Sequence, residues 1–218
     1  MTEPRFLPHD PWTPELSPEK AAKEFHRFLS RRRSVREFSD RPVSRESLEW
    51  VVRCATTAPS GANKQPWRFV CVQDAGIKKA IRKAAEEEER DFYAKRAPQS
   101  WLDALAPLGT DDHKPYLEIA PWLVVVFKLA TEEDGSPVYY AEESVGIAVG
   151  MFLAAAQAAG LATLTHTPSP MRFLGEILER PENERAWCVI PVGWPAQGCQ
   201  VPEHALQRKP LDEVMVVR

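Results

Sequence analysis

The chain has 218 residues, 44% of them hydrophobic and 27% charged, with a formal net charge of −3 at pH 7. That length suits one sizeable domain with a proper core, and a small negative charge without a basic stripe argues against nucleic acid as a partner. The four cysteines make no C-x-x-C pair and have no histidines at zinc spacing, so no metal site is indicated and a reducing, cytoplasmic setting is expected.

From Met1 to Lys20 the chain carries five prolines and no apolar h-region, which predicts an extended arm, neither signal peptide nor membrane anchor. Ala21 to Arg31 reads as a helix with Ala22, Phe25, Phe28 and Leu29 on one stripe. It runs into Arg31-Arg32-Arg33-Ser34-Val35-Arg36-Glu37-Phe38. In an extended segment, alternation would send Arg32, Ser34 and Arg36 to one side, forming a site suited to phosphate. On composition alone a solvated basic helix end is the plainer reading. Ser44 then offers an N-cap, with Val43 and Leu48 as a staple, for a helix reaching about Ala58 and stopped by Pro59. The loop Pro59-Ser60-Gly61-Ala62-Asn63-Lys64-Gln65-Pro66-Trp67 is small and polar, and Gly61 would let backbone approach a ligand. Alone it would be an ordinary turn. Trp67 to Val72 alternates and is rich in β-formers, which predicts a strand.

Asp74 is the expected N-cap of a long helix through Ile77, Ile81, Ala84 and Ala85, continuing past Glu86-Glu87-Glu88-Glu89 to Tyr93. Its apolar stripe fades at the glutamates, so residues 87–114 have few anchors and form a candidate lid. Further on come a strand from Pro121 to Phe127 and a helix from Tyr139 to Ala159, buried on all sides and closed by Gly160. Its apolar run, Val145 to Ala156, is too short to span a bilayer. Leu161 to Thr165 is a short strand, Arg172 to Leu178 a helix and Ala186 to Val192 a strand. Strands separated by helices predict a layered α/β or α+β domain. The expected organisation is an arm at 1–20, a domain at 21–201 with its lid near 87–114, and a second arm at 202–218. Arms at both ends suggest a wrapped dimer. No G-x-G-x-x-G follows a strand, there is no P-loop, and Ser34, Ser60 and Ser144 lack a G-x-S-x-G context, so dinucleotide-fold, NTPase and hydrolase readings are unsupported.

Arg32-Arg33-Ser34-Val35-Arg36, Pro59 to Trp67, Thr165-His166-Thr167-Pro168, Pro191-Val192-Gly193-Trp194-Pro195 and Arg208-Lys209-Pro210-Leu211 together resemble the landmarks of the FMN-dependent nitroreductase superfamily, in order. Glu89, Tyr93, Trp101-Leu102, Leu105, Lys114-x-Tyr116-Leu117 and Ala120-Pro121 resemble the lid of its iodotyrosine deiodinase family. The likeness runs from about Arg31 to Val216.

The resemblance implies an α+β nitroreductase-like fold, with a central, mostly antiparallel sheet flanked by helices, in an intertwined homodimer whose sites are shared between subunits. It implies FMN as cofactor, with Arg32, Ser34 and Arg208 on its phosphate, Arg33 nearby and Arg36 at the pyrimidine side. Val35, Thr165 and His166 are carried over as its neighbours, and Pro59, Ser60 and Gly61 would line it from the other subunit. Thr167 would donate its hydroxyl to flavin N5 as the catalytic group. For a halotyrosine substrate, Glu89 would accept from the ammonium, Tyr93 and Lys114 would bind the carboxylate, and the backbone N–H of Ala62 would hold the phenolate. The implied activity is reductive dehalogenation of halotyrosines, 3-iodotyrosine giving tyrosine and iodide, with electrons from a reductant the sequence does not name. Two rivals stand beside it: an NAD(P)H-dependent nitroreductase or quinone reductase that carries a lid, and a non-catalytic flavin- or halotyrosine-binding module.

Overall fold

The computed structural model describes residues 3–132 and 134–218, in two compact units that divide between Arg32 and Arg33. The first unit is built on helix α1, Pro18–Leu29, whose opening proline has its φ preset for a first turn. The helix thus takes in the last residues of the expected arm. Phe25 and Phe28 stack at 6.0 Å on its stripe, yet none of its residues is buried.

The second unit is organised around a sheet of four strands: β1 Trp67–Val72, β2 Trp122–Leu129, β3 Ala162–Thr163 and β4 Glu184–Gly193. They lie in the order β1-β2-β4-β3, and every ladder is antiparallel. Central β2 reads as a continuous apolar run because both its faces are covered. Trp122, Val124 and Val126 belong to the cluster formed with α2, Arg45–Thr56, and α6, Ala141–Ala158, which comes after three further helices. Leu123, Val125 and Phe127 point to the opposite cluster, which holds residues of α3, Ala75–Asp91, α5, Tyr116–Ile119, and α7, Arg172–Ile177. Alternation along one strand thus anchors two helical layers.

The expected N-caps are present: Ser44 Oγ accepts from Ser47 N at 3.1 Å, and Asp74 Oδ1 from Ile77 N at 2.8 Å. Three expectations need correction. The long helix does not stay α-helical to Tyr93. Regular α3 ends at Asp91 and Phe92–Arg96 is a π-helical turn, with Ala97 extended at ψ 123 as the proline after it requires. Helix α6 is not buried on all sides, because Glu143, Ile147 and Gly150 share one exposed face. Strand β3 is shorter than Leu161–Thr165: its ladder to β4 covers two residues and resumes in the same register only at His166 and Val189. Among the described residues no helix is long and apolar enough to cross a membrane. The C-terminal segment carries the short helix α8, Leu211–Val214, numbered after α4, Gln99–Leu105.

At the start of β4, Glu184 is a nearly buried carboxylate between Arg68 Nε at 3.1 Å and Arg180 Nε at 2.7 Å. Burial pushes its carboxyl up, but the two guanidiniums prevail and hold it below the ordinary range. A depressed folded-state value stabilises the fold above the unfolded value of about 4.3 and is lost as pH falls through the folded value. Denaturant unfolding of Glu184→Gln is therefore expected to show a flatter loss of stability below about pH 4.3 than the parent chain; identical acid limbs would remove Glu184 from the acid response.

Candidate active site

A short parallel bridge brings Ser34 and the residues after it to the edge of β3. Val35 N donates to Thr163 O at 3.1 Å, and Ser34 bridges Thr163 in parallel. Val35 is buried in the core, so Ser34 and Arg36 flank an anchored residue and Arg36 turns half-buried towards Thr165, His166 and Thr167. These residues wall one side of a cavity of about 460 Å³. Glu89, Tyr93, Trp101 and Lys114, all from the segment expected to be a lid, wall the other.

The lid side is ordered by charge rather than by apolar anchors, since no residue from Phe92 to Leu108 is buried. Lys114, only 5% exposed, is held through three groups. Its backbone N–H donates to Glu86 Oε1 at 2.7 Å, its Nζ donates to Asp111 O, and Nζ lies 3.3 Å from Glu89 Oε2. Arg82 braces this arrangement by pairing with Glu86 at 2.8 Å and Glu118 at 2.7 Å. Tyr93 OH donates to Thr110 Oγ1 at 3.0 Å, and Lys114 Nζ sits 5.9 Å from the Tyr93 ring centroid. The spacing of Glu89 and Tyr93 survives the change from α to π geometry, and both still face the cavity. Burial pushes the Glu89 carboxyl above its usual range against the opposing pull of Lys114. Burial likewise raises the phenols of Tyr93 and Tyr116.

Other expected site residues are dispersed. Pro59, Ser60, Gly61 and Ala62 do not line this cavity within one chain. Gly61 is needed for a close approach inside the protein: a Cβ there would come within 2.9 Å of Tyr139 Cδ1 and Tyr140 Cβ. Its N–H donates to Ser144 Oγ at 3.2 Å. Ala62 instead carries the left-handed backbone, φ 49°. Arg208 is exposed, its Nη1 donating to the carbonyls of Ala205 and Gln207 at 2.8 and 2.6 Å. Arg32 belongs to the first unit, where its N–H donates to Leu29 O at 3.0 Å. Arg33 lies half-buried at the start of the second. His166, carried over with the cofactor residues, turns its ring to the lid, Nε2 lying 3.8 Å from Glu89 Oε1.

Glu86, Arg82 and Thr110 also support the lid wall, without a sequence motif of their own. The i,i+3 spacing of Glu86 and Glu89 was a signal for one shared face; nothing local marks Glu86 as the acceptor of a distant backbone N–H.

The donor set on the Arg36 side, a permanent cation with the hydroxyls of Thr165 and Thr167, has the character that an anionic, hydrogen-bonding ring system needs. FMN fits those residues.

The nitroreductase family model matches residues 29–194. The chain is 53% identical to the iodotyrosine deiodinase of Haliscomenobacter hydrossis over 221 residues, covering 99% of this chain and 98% of that one. It is 44% identical to iodotyrosine deiodinase 1 of Homo sapiens over 210 residues, 93% of this chain and 71% of the human one. A crystal structure of oxidized iodotyrosine deiodinase bound to FMN and 3-iodo-L-tyrosine superposes with a TM-score of 0.75 at 31% identity, covering 89% of this chain and 97% of that one.

Proposed function

The chain belongs to the nitroreductase family, and from that premise we propose that it removes iodide reductively from 3-iodotyrosine, using electrons from FMN. The relatives named above support this reading across nearly the whole chain. The observation that carries it in this chain's own side chains is the Glu89–Lys114 pair, 3.3 Å apart beneath the lid and facing Thr165–Thr167. An α-amino acid presents the complementary pair of charges. Its ammonium would take Glu89, an acceptor-only group when ionised, and its carboxylate would take Lys114 and the Tyr93 hydroxyl. The ligand's gain must exceed the pair it divides, which favours a full zwitterion over either charge alone.

When bound, FMN supplies the two electrons that, with one proton, convert the aryl iodide to the aryl hydrogen and iodide. The residues of the second unit that would hold it are Ser34 and Arg208 on its phosphate, with Arg33 nearby, and Arg36 at its ring. Arg36 would stabilise negative charge on its ring system, and Thr167 would offer a hydroxyl to N5. Trp101, Tyr93 and Leu105 would exclude water when the lid closes over the substrate.

A homodimer belongs to the same proposal. Loop residues Pro59 to Ala62 stand away from the cavity of their own chain, and exposed Trp50 and Ile147 give α2 and α6 apolar surface for a second copy. Through that copy the Ala62 N–H would reach the phenolate. A cytoplasmic setting is also proposed, supported by four free cysteines among the described residues.

The test is anaerobic: reduce the FMN-loaded protein with dithionite, add 3-iodotyrosine and measure tyrosine and iodide. One tyrosine and one iodide per reduced flavin are expected. Binding without iodide release would leave a binding module, and faster turnover of a nitroaromatic with NAD(P)H would leave a nitroreductase.

Because burial raises the Glu89 carboxyl, protonation should remove the ammonium acceptor at a pH above the ordinary glutamate value of about 4.3. Affinity for 3-iodotyrosine should thus be full while Glu89 is ionised and fall as pH drops through its raised value. Titrations across that range should show this limb in the parent chain and not in Glu89→Gln; a limb shared by both would assign it to another group.

A further inference from the structure

Among the described residues, the buried side-chain atom left without a hydrogen-bond partner is His166 Nε2. The ring cannot move far. Its residue exchanges both backbone hydrogen bonds with Val189, at 2.9 and 2.8 Å, and its imidazole meets Tyr116 edge to face at 5.9 Å. Opposite Nε2, at 3.8 Å, stands Glu89 Oε1, while Glu89 Oε2 is held 3.3 Å from Lys114 Nζ. Burial, with Lys114 and Arg36 nearby, pushes the imidazole down to about 3, so at neutral pH it carries a single N–H. An ionised carboxylate can only accept. The tautomer with its proton on Nε2 therefore suits this neighbour, whereas the other would set lone pair against lone pair.

We propose that His166 is a positioning residue for Glu89: when an amino-acid carboxylate takes over Lys114, Nε2–H donates to Glu89 Oε1 and holds that carboxylate on the substrate ammonium. This rests on the halotyrosine reading above. The bond needs Glu89 to approach by only about 1 Å, from 3.8 Å to an ordinary length near 2.9 Å. A donor that is unpaired in the empty site becomes paired in the occupied one, and leaving such a donor unmade is costly. His166 thereby couples occupation of the Lys114 end to the strength of the Glu89 end, which makes it a determinant of specificity for zwitterionic amino acids over plain halophenols.

The test uses FMN-loaded protein titrated with 3-iodotyrosine and with 2-iodophenol, which has neither charge. His166→Phe keeps a flat ring without the donor; His166→Gln can return an amide N–H to about the same place. His166→Phe should weaken 3-iodotyrosine by roughly tenfold and leave 2-iodophenol within about twofold, and His166→Gln should recover most of the loss. If His166→Phe does not fold, His166→Asn, whose shorter amide falls short of Glu89, serves as the donor-less variant against His166→Gln. Equal 3-iodotyrosine affinity in the donor-less variant and the parent, equal weakening of both ligands, or no recovery with Gln overturns the positioning role while the halotyrosine reading stands. A parent protein that binds no 3-iodotyrosine overturns the halotyrosine reading itself and this role with it.

Discussion

Lys114→Ala is expected to weaken 3-iodotyrosine binding by about 10²- to 10³-fold while FMN affinity stays near that of the parent chain. Two losses combine in that figure. The substrate carboxylate loses its cation, and Glu89, deprived of its ion partner, remains buried with a carboxyl that burial already pushes up. Without Lys114 to oppose burial, that carboxyl is pushed up further and serves less well as the ammonium acceptor, so one substitution damages both ends of the site. Lys114→Ala combined with Glu89→Gln should therefore cost less than the sum of the two single changes, because the second removes the stranded charge created by the first. Titration of the flavin absorbance checks all three variants. Affinity of Lys114→Ala within about twofold of the parent, or strict additivity of the pair, would show that the lid charges do not act as one recognition unit.

Gly193→Ala is expected to be the most damaging single methyl group in the sheet. A Cβ on Gly193 would lie 2.5 Å from Pro121 Cδ, 2.9 Å from Pro121 Cγ and 3.4 Å from Phe38 Cδ1. The obstacle is a proline ring beside the first residue of β2, not the end of a flexible side chain, so backbone must give way. Overpacking of this kind costs at least about 1–3 kcal/mol, and for a chain of this size each kcal/mol lowers Tm by roughly 2–4 °C. The displacement would be felt at the site. Gly193 pairs with Ala162 in β3, whose ladder sets the course of Thr165–Thr167. Gly175→Ala in α7 is the control: apart from its chain neighbours and the helix's own backbone, nothing lies within 4 Å of its added Cβ, and the change should be neutral or stabilising by about 0.5–1 kcal/mol. Similar melting temperatures for the two variants would refute the close-approach explanation for Gly193.

Parts of this fold are legible in the chain because their causes are local. Strand β1 occupies Trp67–Val72 as its alternation predicts, and Ser44 and Asp74 cap their helices as their position before apolar repeats predicts. The strand expected from Pro121 to Phe127 is present as β2, Trp122–Leu129. The misreadings have non-local causes. Whether α6 keeps an open face depends on which layers meet it, and an apolar run that includes Ile147 does not say that the side chain stands 46% exposed. The π-helical turn at Phe92–Arg96 ends two residues before Pro98, and the gap in the β3 ladder follows Thr163, whose carbonyl accepts from Val35 N.

Periodicity and end-capping belong to stretches of a dozen residues, so the sequence by itself determined where helices and strands lie and which stretches carry the arginines, glutamates and hydroxyls. The encounter of Glu89 with both Lys114 and His166 was decided only by the tertiary structure. It depends on β4 holding His166 in register and on Glu86 and Arg82 bracing Lys114 beneath the lid. Apart from the Arg82–Glu86 pair within α3, those contacts join residues far apart along the chain, and the low-dielectric enclosure that moves the Glu89 carboxyl and the His166 ring exists only once the layers have closed around them.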